Sequence, residues 1–300
     1  MRARDPKKIT SPLRYPGGKS KALNKIHPFM TLDFSEYREP FVGGGSVFIY
    51  LKQIRPEAKF KINDLNYDLF CFWDTLKKNV DEMLIEISKI RNSYGNGRIL
   101  YEELACALKD RDEFHRAVRF YVLNRITYSG TVDSGGYSDE SFKKRFTVSN
   151  MEKLRPISAL LQDVEITNQS YEEMLAKEGK RVFVFLDPPY LKTKRKALYG
   201  INGDLNKSFD HVEFANNVKQ CKHKWLITYD DSEAIRSLFD FAEDVHLHPW
   251  ELQYGMNNAG NNKPARGKEL LISNFIPHRY QDSNDNQTFN FQDVFTMSKH

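Results

Sequence analysis

Four consecutive residues, Asp187-Pro188-Pro189-Tyr190, place a carboxylate, two prolines and a phenol directly after the apolar run Val182-Phe183-Val184-Phe185-Leu186. A run rich in Val and Phe, bounded by Arg181 and a Pro pair, reads as a central parallel strand buried on both faces. Ligands of open α/β sheets bind at the carboxyl ends of such strands, where Asp187 falls. Each proline lacks an N–H and fixes its own φ, so the carbonyls there are not consumed by a continuing ladder or helix and point into the crevice. A carboxylate, a carbonyl and an aromatic face suit a flat heterocycle carrying an amino group, with two acceptors for N–H and one stacking platform. The competing reading is a plain strand closed by a proline turn.

A second constellation lies upstream, where Tyr37-Arg38-Glu39-Pro40-Phe41-Val42 leads into Gly43-Gly44-Gly45-Ser46-Val47-Phe48. It reads as strand, tight turn and helix. The consecutive glycines allow positive φ and close approach of backbone to ligand, and the segment from Ser46 to Leu51 opens a helix whose free N–H groups face the crevice. The spacing is not that of the dinucleotide fingerprint, and no Lys-Ser/Thr pair follows, so a pyrophosphate or triphosphate is disfavoured. Lys59-Phe60-Lys61-Ile62-Asn63-Asp64 then forms a short strand ending in an acid. Lying about twenty residues beyond the glycine turn, Asp64 is placed to accept both hydroxyls of an adenosine ribose. Alternatively it caps the helix expected from Tyr67 to Lys78. Before both comes Ser11-Pro12-Leu13-Arg14-Tyr15-Pro16-Gly17-Gly18-Lys19-Ser20, a loop whose Lys19, taken alone, reads as a solvated surface charge.

These residues need a frame. From about residue 75 to 155 the pattern turns mostly helical: Val80, Met83, Leu84, Ile87 and Ile90 line one helix face, and Phe114, Val118, Tyr121 and Val122 repeat this between Arg111 and Arg125. Thr127 to Ser138 is a glycine-rich loop carrying hydroxyls and aromatics, either a hairpin that meets a ligand or an ordinary surface loop. Lys224 to Tyr229 is another strand, ending at Asp230-Asp231-Ser232, which can cap a helix from Glu233 to Phe239, and Glu269 to Phe275 completes the sheet. Tyr254 to Gly267 is rich in Asn and Gly and reads as a mobile loop, while Phe291, Val294 and Phe295 could anchor the end of a polar tail.

The ordered set Tyr15 to Lys19, Glu39 to Phe48, Asn63-Asp64-Leu65-Asn66, Phe120 to Arg125, Leu186 to Tyr190 and Gly267 to Ile272 resembles the Dam-type (class alpha) DNA adenine-N6 methyltransferases, which use S-adenosylmethionine. The resemblance implies an α/β, Rossmann-like methyltransferase fold, a seven-stranded and mostly parallel sheet with a mainly helical DNA-recognition insertion. Residues 1–74 and 156–300 would form the catalytic domain and 75–155 the target-recognition insertion. By the same resemblance Tyr15, Gly17, Gly18, Lys19, Phe41, Gly43, Gly44, Gly45, Ser46, Asp64 and Asp187 would contact S-adenosylmethionine, while Asp187, Pro188, Pro189 and Tyr190 would hold the target adenine. Where the family often has an acid followed by an aromatic, this chain has Ser170-Tyr171. Ser170 would then give a weaker, neutral contact and Tyr171 would pack near the cofactor's adenine.

The partner implied is double-stranded DNA, with the adenine extruded for direct methyl transfer and no metal required. Whether a cognate restriction endonuclease accompanies the chain is left open. The net charge of +5 over 300 residues is modest for a nucleic-acid binder, so the distribution of charge carries that argument. Arg125, Tyr128, Ser129, Tyr137, Lys143, Lys144 and Arg145 flank or form the glycine-rich loop, and Lys192, Lys194, Arg195 and Lys196 follow the catalytic tetrapeptide; these are the candidate DNA contacts. Cys71, Cys106 and Cys221 are widely spaced, as free reduced thiols would be. No run approaches eighteen apolar residues and no signal-peptide core follows the basic start, which leads one to expect a soluble, cytoplasmic chain without membrane contact. Cytosine-N4 methylation, methylation of RNA adenine or of a glutamine amide, and a non-catalytic DNA-binding role are the rival readings.

Overall fold

The computed structural model describes residues 8–106, 112–132, 134–191, 208–253 and 266–277. Seven strands form one sheet: β1 (Glu36–Glu39), β2 (Lys59–Asn63), β3 (Glu165–Thr167), β4 (Val182–Leu186), β5 (Lys224–Asp230), β6 (His246–Gln253) and β7 (Arg266–Ser273). Their order is β3-β2-β1-β4-β5-β7-β6. The first five run parallel, and β7 is antiparallel to both β5 and β6. The architecture is thus the α/β, Rossmann-like one the sequence leads one to expect.

β4 lies at the centre and is buried along its whole length. Its side chains alternate as strand geometry demands: Phe183 and Phe185 enter one core with Tyr37, Phe60 and Leu226, whereas Val182, Val184 and Leu186 enter the other with Trp225, Ile227 and Tyr229. Cover on both faces is why the sequence reads as an unbroken apolar run. The ladder of β1 ends at Glu39, because Pro40 has no N–H to extend it. From β1 the chain winds outward through β2 to β3, and from β4 in the opposite direction to β5, so the crevice between β1 and β4 is the point where the strand order reverses.

Between β2 and β3 the described residues contain no named strand. They form helices Tyr67–Lys78, Val80–Ser93, Gly97–Cys106, Glu113–Ile126 and Asp139–Arg145, then Leu154–Leu161, with one isolated bridge joining Thr127 to Tyr137. Met83, Leu84 and Ile87 are buried as the helical spacing requires, with Val80 and Ile90 at the margin of the same core. Helix Glu113–Ile126 starts at Asp112, whose side chain accepts the His115 N–H. Its Tyr121 stacks on Phe72 with ring centroids 6.0 Å apart and planes 4° off parallel. The helical segment and one face of the sheet therefore share a single continuous core.

Two elements differ from the sequence reading. Gly97–Cys106 is a helix that had no strong signal, and β6 carries Pro249 in mid-strand. β6 is an edge strand, where a missing N–H is tolerated. Among the described residues, no helix is long and apolar enough to cross a membrane. The expected loop from 254 to 265 and the tail anchors Phe291, Val294 and Phe295 lie outside the described residues.

Candidate active site

The tips of β1, β2, β3 and β4 and one preceding loop build the site, with side chains of β5 and β7 beside them. At the tip of β4 the Asp187 carboxylate takes the Lys19 ammonium on both oxygens, each at 2.6 Å. Thr228 of β5 donates to Oδ1 of the same carboxylate, also at 2.6 Å. Lys19 is only 6% exposed, far from the solvated residue that its loop suggests in isolation. Its Nζ also donates to the Gly17 carbonyl at 2.9 Å and sits over the Tyr190 ring, 5.1 Å from the centroid. The cation thus fills the space between carboxylate and ring. Tyr190 donates from its hydroxyl to Oε2 of buried Glu269 at 3.0 Å. Burial, then the charges of Asp187 and Glu269, push the Tyr190 phenol well above its ordinary pKa. Pro188 is buried and Pro189 half-buried beside them.

Glu39, at the tip of β1, is buried and receives the Tyr37 hydroxyl at 2.6 Å. Burial pushes this acid well above the usual carboxylate range, and the nearby Asp187 charge adds to it. The glycine turn follows. Gly43 and Gly45 adopt φ of 47° and 66°, which favour glycine. Space is closed as well: a Cβ on Gly43 would stand 2.8 Å from the Tyr15 ring, and one on Gly45 2.8 Å from Trp73. The helix Ser46–Ile54 begins there, and the Ser46 hydroxyl lies 2.7 Å from that of Ser20. Tyr15 and Lys19 therefore belong to one loop that covers the glycines and reaches the β4 tip.

Asp64, just past β2, accepts the Gly43 N–H at 2.9 Å on Oδ2 and the Asn66 N–H at 3.0 Å on Oδ1. It does not cap the next helix; Asn66 does, by accepting the Leu69 N–H. Burial raises the Asp64 pKa to about 6, against the pull of these two N–H groups. Past β3, Ser170 occupies the N-cap position of helix Tyr171–Ala176 without a capping bond from its side chain. The Tyr171 ring packs at 5.4 Å from Phe41, and both meet Phe209 and Phe214. Phe209, Phe214, Thr228, Glu39 and Glu269 are site residues that reading the sequence did not single out. Glu39 and Glu269 stand inside motifs already quoted, next to Pro40 and Lys268, and only their burial marks them, Glu39 at the tip of β1 and Glu269 within β7 opposite Asp230.

The glycine-rich loop is a hairpin closed by the Thr127–Tyr137 bridge. Tyr128 stands 63% exposed, beside Ser129 at φ 54°. Asn124 clasps this hairpin to the Tyr15 loop: it accepts the Arg14 N–H and donates to the carbonyls of Arg14 and Gly130. Arg125 does not lie on the surface that the sequence suggests for it. It is 5% exposed, donates to Asn124 Oδ1 at 2.6 Å and sits over the Tyr121 ring, and burial lowers its pKa to about 10. Tyr137 is likewise buried, against Tyr101 and Phe142, with its hydroxyl on Asp139. Lys143 and Lys144 are exposed and paired with Asp139 and Glu140, one helical turn back, while Arg145 is exposed at the end of that helix. Lys192, Lys194, Arg195 and Lys196 lie outside the described residues.

Comparison with known proteins agrees with this arrangement. The D12 class N6 adenine-specific DNA methyltransferase family matches residues 15–256. The type II methyltransferase M.MjaIII of Methanocaldococcus jannaschii is 29% identical over 196 residues, covering 59% of this chain and 68% of its own. The DNA adenine methylase of Salmonella typhi is 26% identical over 280 residues, or 88% of this chain and 95% of its own. The type II methyltransferase M1.LlaDCHI of Lactococcus lactis subsp. cremoris is 24% identical over 276 residues, or 87% and 94%. The match runs from the Tyr15 loop through the glycine turn and Asp187-Pro188-Pro189-Tyr190 to the far edge of the sheet. The chain belongs to the D12 class N6 adenine-specific DNA methyltransferases, enzymes that methylate the N6 amino group of adenine in DNA.

Proposed function

We propose that the chain methylates an adenine swung out of double-stranded DNA, with S-adenosylmethionine as methyl donor, and that the tip of β4 is where the amino group is held. S-adenosylmethionine supplies, when bound, an electrophilic methyl carbon on a positively charged sulfur. The residues present fit it: a glycine turn with no room for side chains beneath it, a strand-tip acid poised for ribose hydroxyls and an aromatic group of Phe41, Tyr171, Phe209 and Phe214 suited to a purine. Tyr15, Gly17, Gly18, Lys19, Phe41, Gly43, Gly44, Gly45, Ser46, Asp64, Ser170 and Tyr171 would line this side, and Asp187 would face both ligands.

The single observation that carries the catalytic reading is the bonding of Asp187. A carboxylate offers about four lone-pair positions. Lys19 takes one on each oxygen and Thr228 a second on Oδ1, which leaves one acceptor position on Oδ2. That acceptor and the Pro188 carbonyl would receive the two N–H bonds of the amine. The lone pair of an aromatic amine is delocalised into its ring, and acceptors on both hydrogens favour a pyramidal nitrogen and stabilise the positive charge that grows as it attacks. Tyr190 would then stack on the base once Lys19 withdraws from over its ring. Extrusion of the base costs roughly a few kcal/mol, offset by phosphate contacts and by insertion of a side chain into the stack. Exposed Tyr128 and Ser129 would make that insertion, and exposed Lys143, Lys144 and Arg145 would meet phosphates.

Asp187→Ala is expected to lose methylation by at least a factor of about 10³ while binding S-adenosylhomocysteine within severalfold of the parent. Mass spectrometry of digested DNA, with calorimetry of the binding, reads both. Near-parental N6-methyladenine in that variant would overturn the assignment. Two relatives are named type II methyltransferases, which fits a chain that shields its target from a cognate restriction endonuclease. Mapping modified adenines in DNA from cells with and without the protein supplies the target against which such an endonuclease is assayed.

A further inference from the structure

We infer that Asn63 is the positioning residue that holds the three cofactor-binding loops in register. The inference rests on reading that rim as the S-adenosylmethionine site. Asn63 ends β2 and is 1% exposed. Its amide NH2 donates to the Pro40 carbonyl at 3.0 Å and to the Gln169 carbonyl at 2.9 Å. Its Oδ1 accepts the Gln169 N–H and the Thr167 hydroxyl, both at 2.9 Å. A side-chain amide has two donors and two acceptor positions, and all are used here.

What matters is where these bonds land. Pro40 precedes Phe41 and the glycine turn, Gln169 precedes Ser170 and Tyr171, and Asn63 itself precedes Asp64. One buried amide therefore joins the ends of β1, β2 and β3 one residue below each candidate ligand contact. With Gln169 it forms a two-bond ring, donating to the carbonyl and accepting from the N–H, which sets the rotation of that backbone unit and so the direction of Tyr171 toward Phe41. Two further bonds add to the clasp: the Val42 main-chain N–H donates to the Asn63 carbonyl at 2.9 Å, and the Asn168 side-chain amide donates to the Asp64 carbonyl at 2.7 Å. No other residue type matches this set. Asp would turn lone pairs on two carbonyls, Leu would leave two carbonyls and an N–H without partners, and Gln would overreach by a methylene.

The test compares Asn63→Asp and Asn63→Leu with the parental chain. Each is expected to weaken S-adenosylhomocysteine binding and to raise KM for S-adenosylmethionine by about tenfold or more, since several buried hydrogen bonds are lost at once. kcat at saturating cofactor stays within about twofold and KM for DNA is unchanged, a split that general loss of folding would not give. Thr167→Val removes a half-buried hydroxyl and serves if the Asn63 variants do not fold; it is expected to weaken cofactor binding about threefold with little change in Tm. Folded Asn63 variants that bind cofactor like the parent, or a Thr167→Val chain with unchanged affinity if they do not fold, would overturn the inference alone. A parental chain that fails to bind S-adenosylhomocysteine would overturn the cofactor reading with it.

Discussion

Asp187 and Asp64 are both carboxylates at the ends of parallel strands, yet one is bonded by a cation and a hydroxyl and the other by backbone N–H groups. That difference makes Asp64 the residue to titrate. Its pKa is raised to about 6, so the folded chain holds the proton more tightly than the unfolded one. Its contribution to stability is therefore greatest at low pH and declines as pH rises from about 4 to about 6. With Asp64 as the proposed ribose acceptor, ligand binding is expected to follow the opposite sign, because the ionised carboxylate is the stronger acceptor for hydroxyls. S-adenosylhomocysteine affinity is expected to fall about tenfold between pH 7 and pH 5, and the fall should vanish in Asp64→Asn, as calorimetry across that range would read. Residue by residue, the two acids and the four-residue tetrapeptide were legible because strand tips are marked by the sequence itself. Lys19 and Arg125 were not. A cation next to glycines and a cation on a helix carry no signal of burial, and only tertiary packing put the first on Asp187 and the second on Tyr121.

Among the elements, the hairpin between Thr127 and Tyr137 makes the sharpest expectations. Tyr128→Ala should raise KM for DNA by the worth of one base–aromatic stack, about 1–3 kcal/mol, while cofactor binding stays as it was. Gly130→Ala is a harsher change, since its φ is 75° and a Cβ would stand 2.1 Å from the Arg14 carbonyl oxygen. Strain of about 1–3 kcal/mol is expected there, visible as a lowered Tm together with weakened DNA binding, because the hairpin is clasped at that residue to the Tyr15 loop. Helices Val80–Ser93 and Glu113–Ile126 were legible from their periodicity and Tyr67–Lys78 as a helical stretch, though its cap is Asn66 and not Asp64. β3, with three residues, is too short to show alternation, and β6 hides behind Pro249, tolerated at an edge that no local pattern reveals. Lys143 and Lys144 read as free charge in sequence, but Asp139 and Glu140 face them one turn away.

At the scale of the molecule, the sequence suggested a helical insertion, residues 75–155, set into a catalytic domain. The packing gives that segment no core of its own: Leu84, Phe120, Tyr121 and Leu123 join Phe72, Phe183 and Phe185 of the flanking stretches in one cluster. Truncating Phe72, which is fully buried against Trp73, Phe120 and Tyr121, should cost about 3–5 kcal/mol. Urea unfolding followed by tryptophan fluorescence and by far-UV circular dichroism should give coincident curves for parent and variant. Two separated transitions would instead mark the insertion as an independently folding unit. The family assignment also removes the cytosine-N4, RNA and glutamine rivals that an amine-gripping tetrapeptide alone left open.

The reversal of strand order has a bearing on biosynthesis. β4 is laid between β1 and β5, and Glu269 on β7 completes the shell around Tyr190. A nascent chain leaving the ribosome thus carries its glycine bend and Asp64 long before the strands that bear Asp187 and Glu269 exist. Prematurely terminated products lacking β7 would leave Tyr190 without its Glu269 acceptor and β5 without its antiparallel neighbour, and are expected not to methylate DNA.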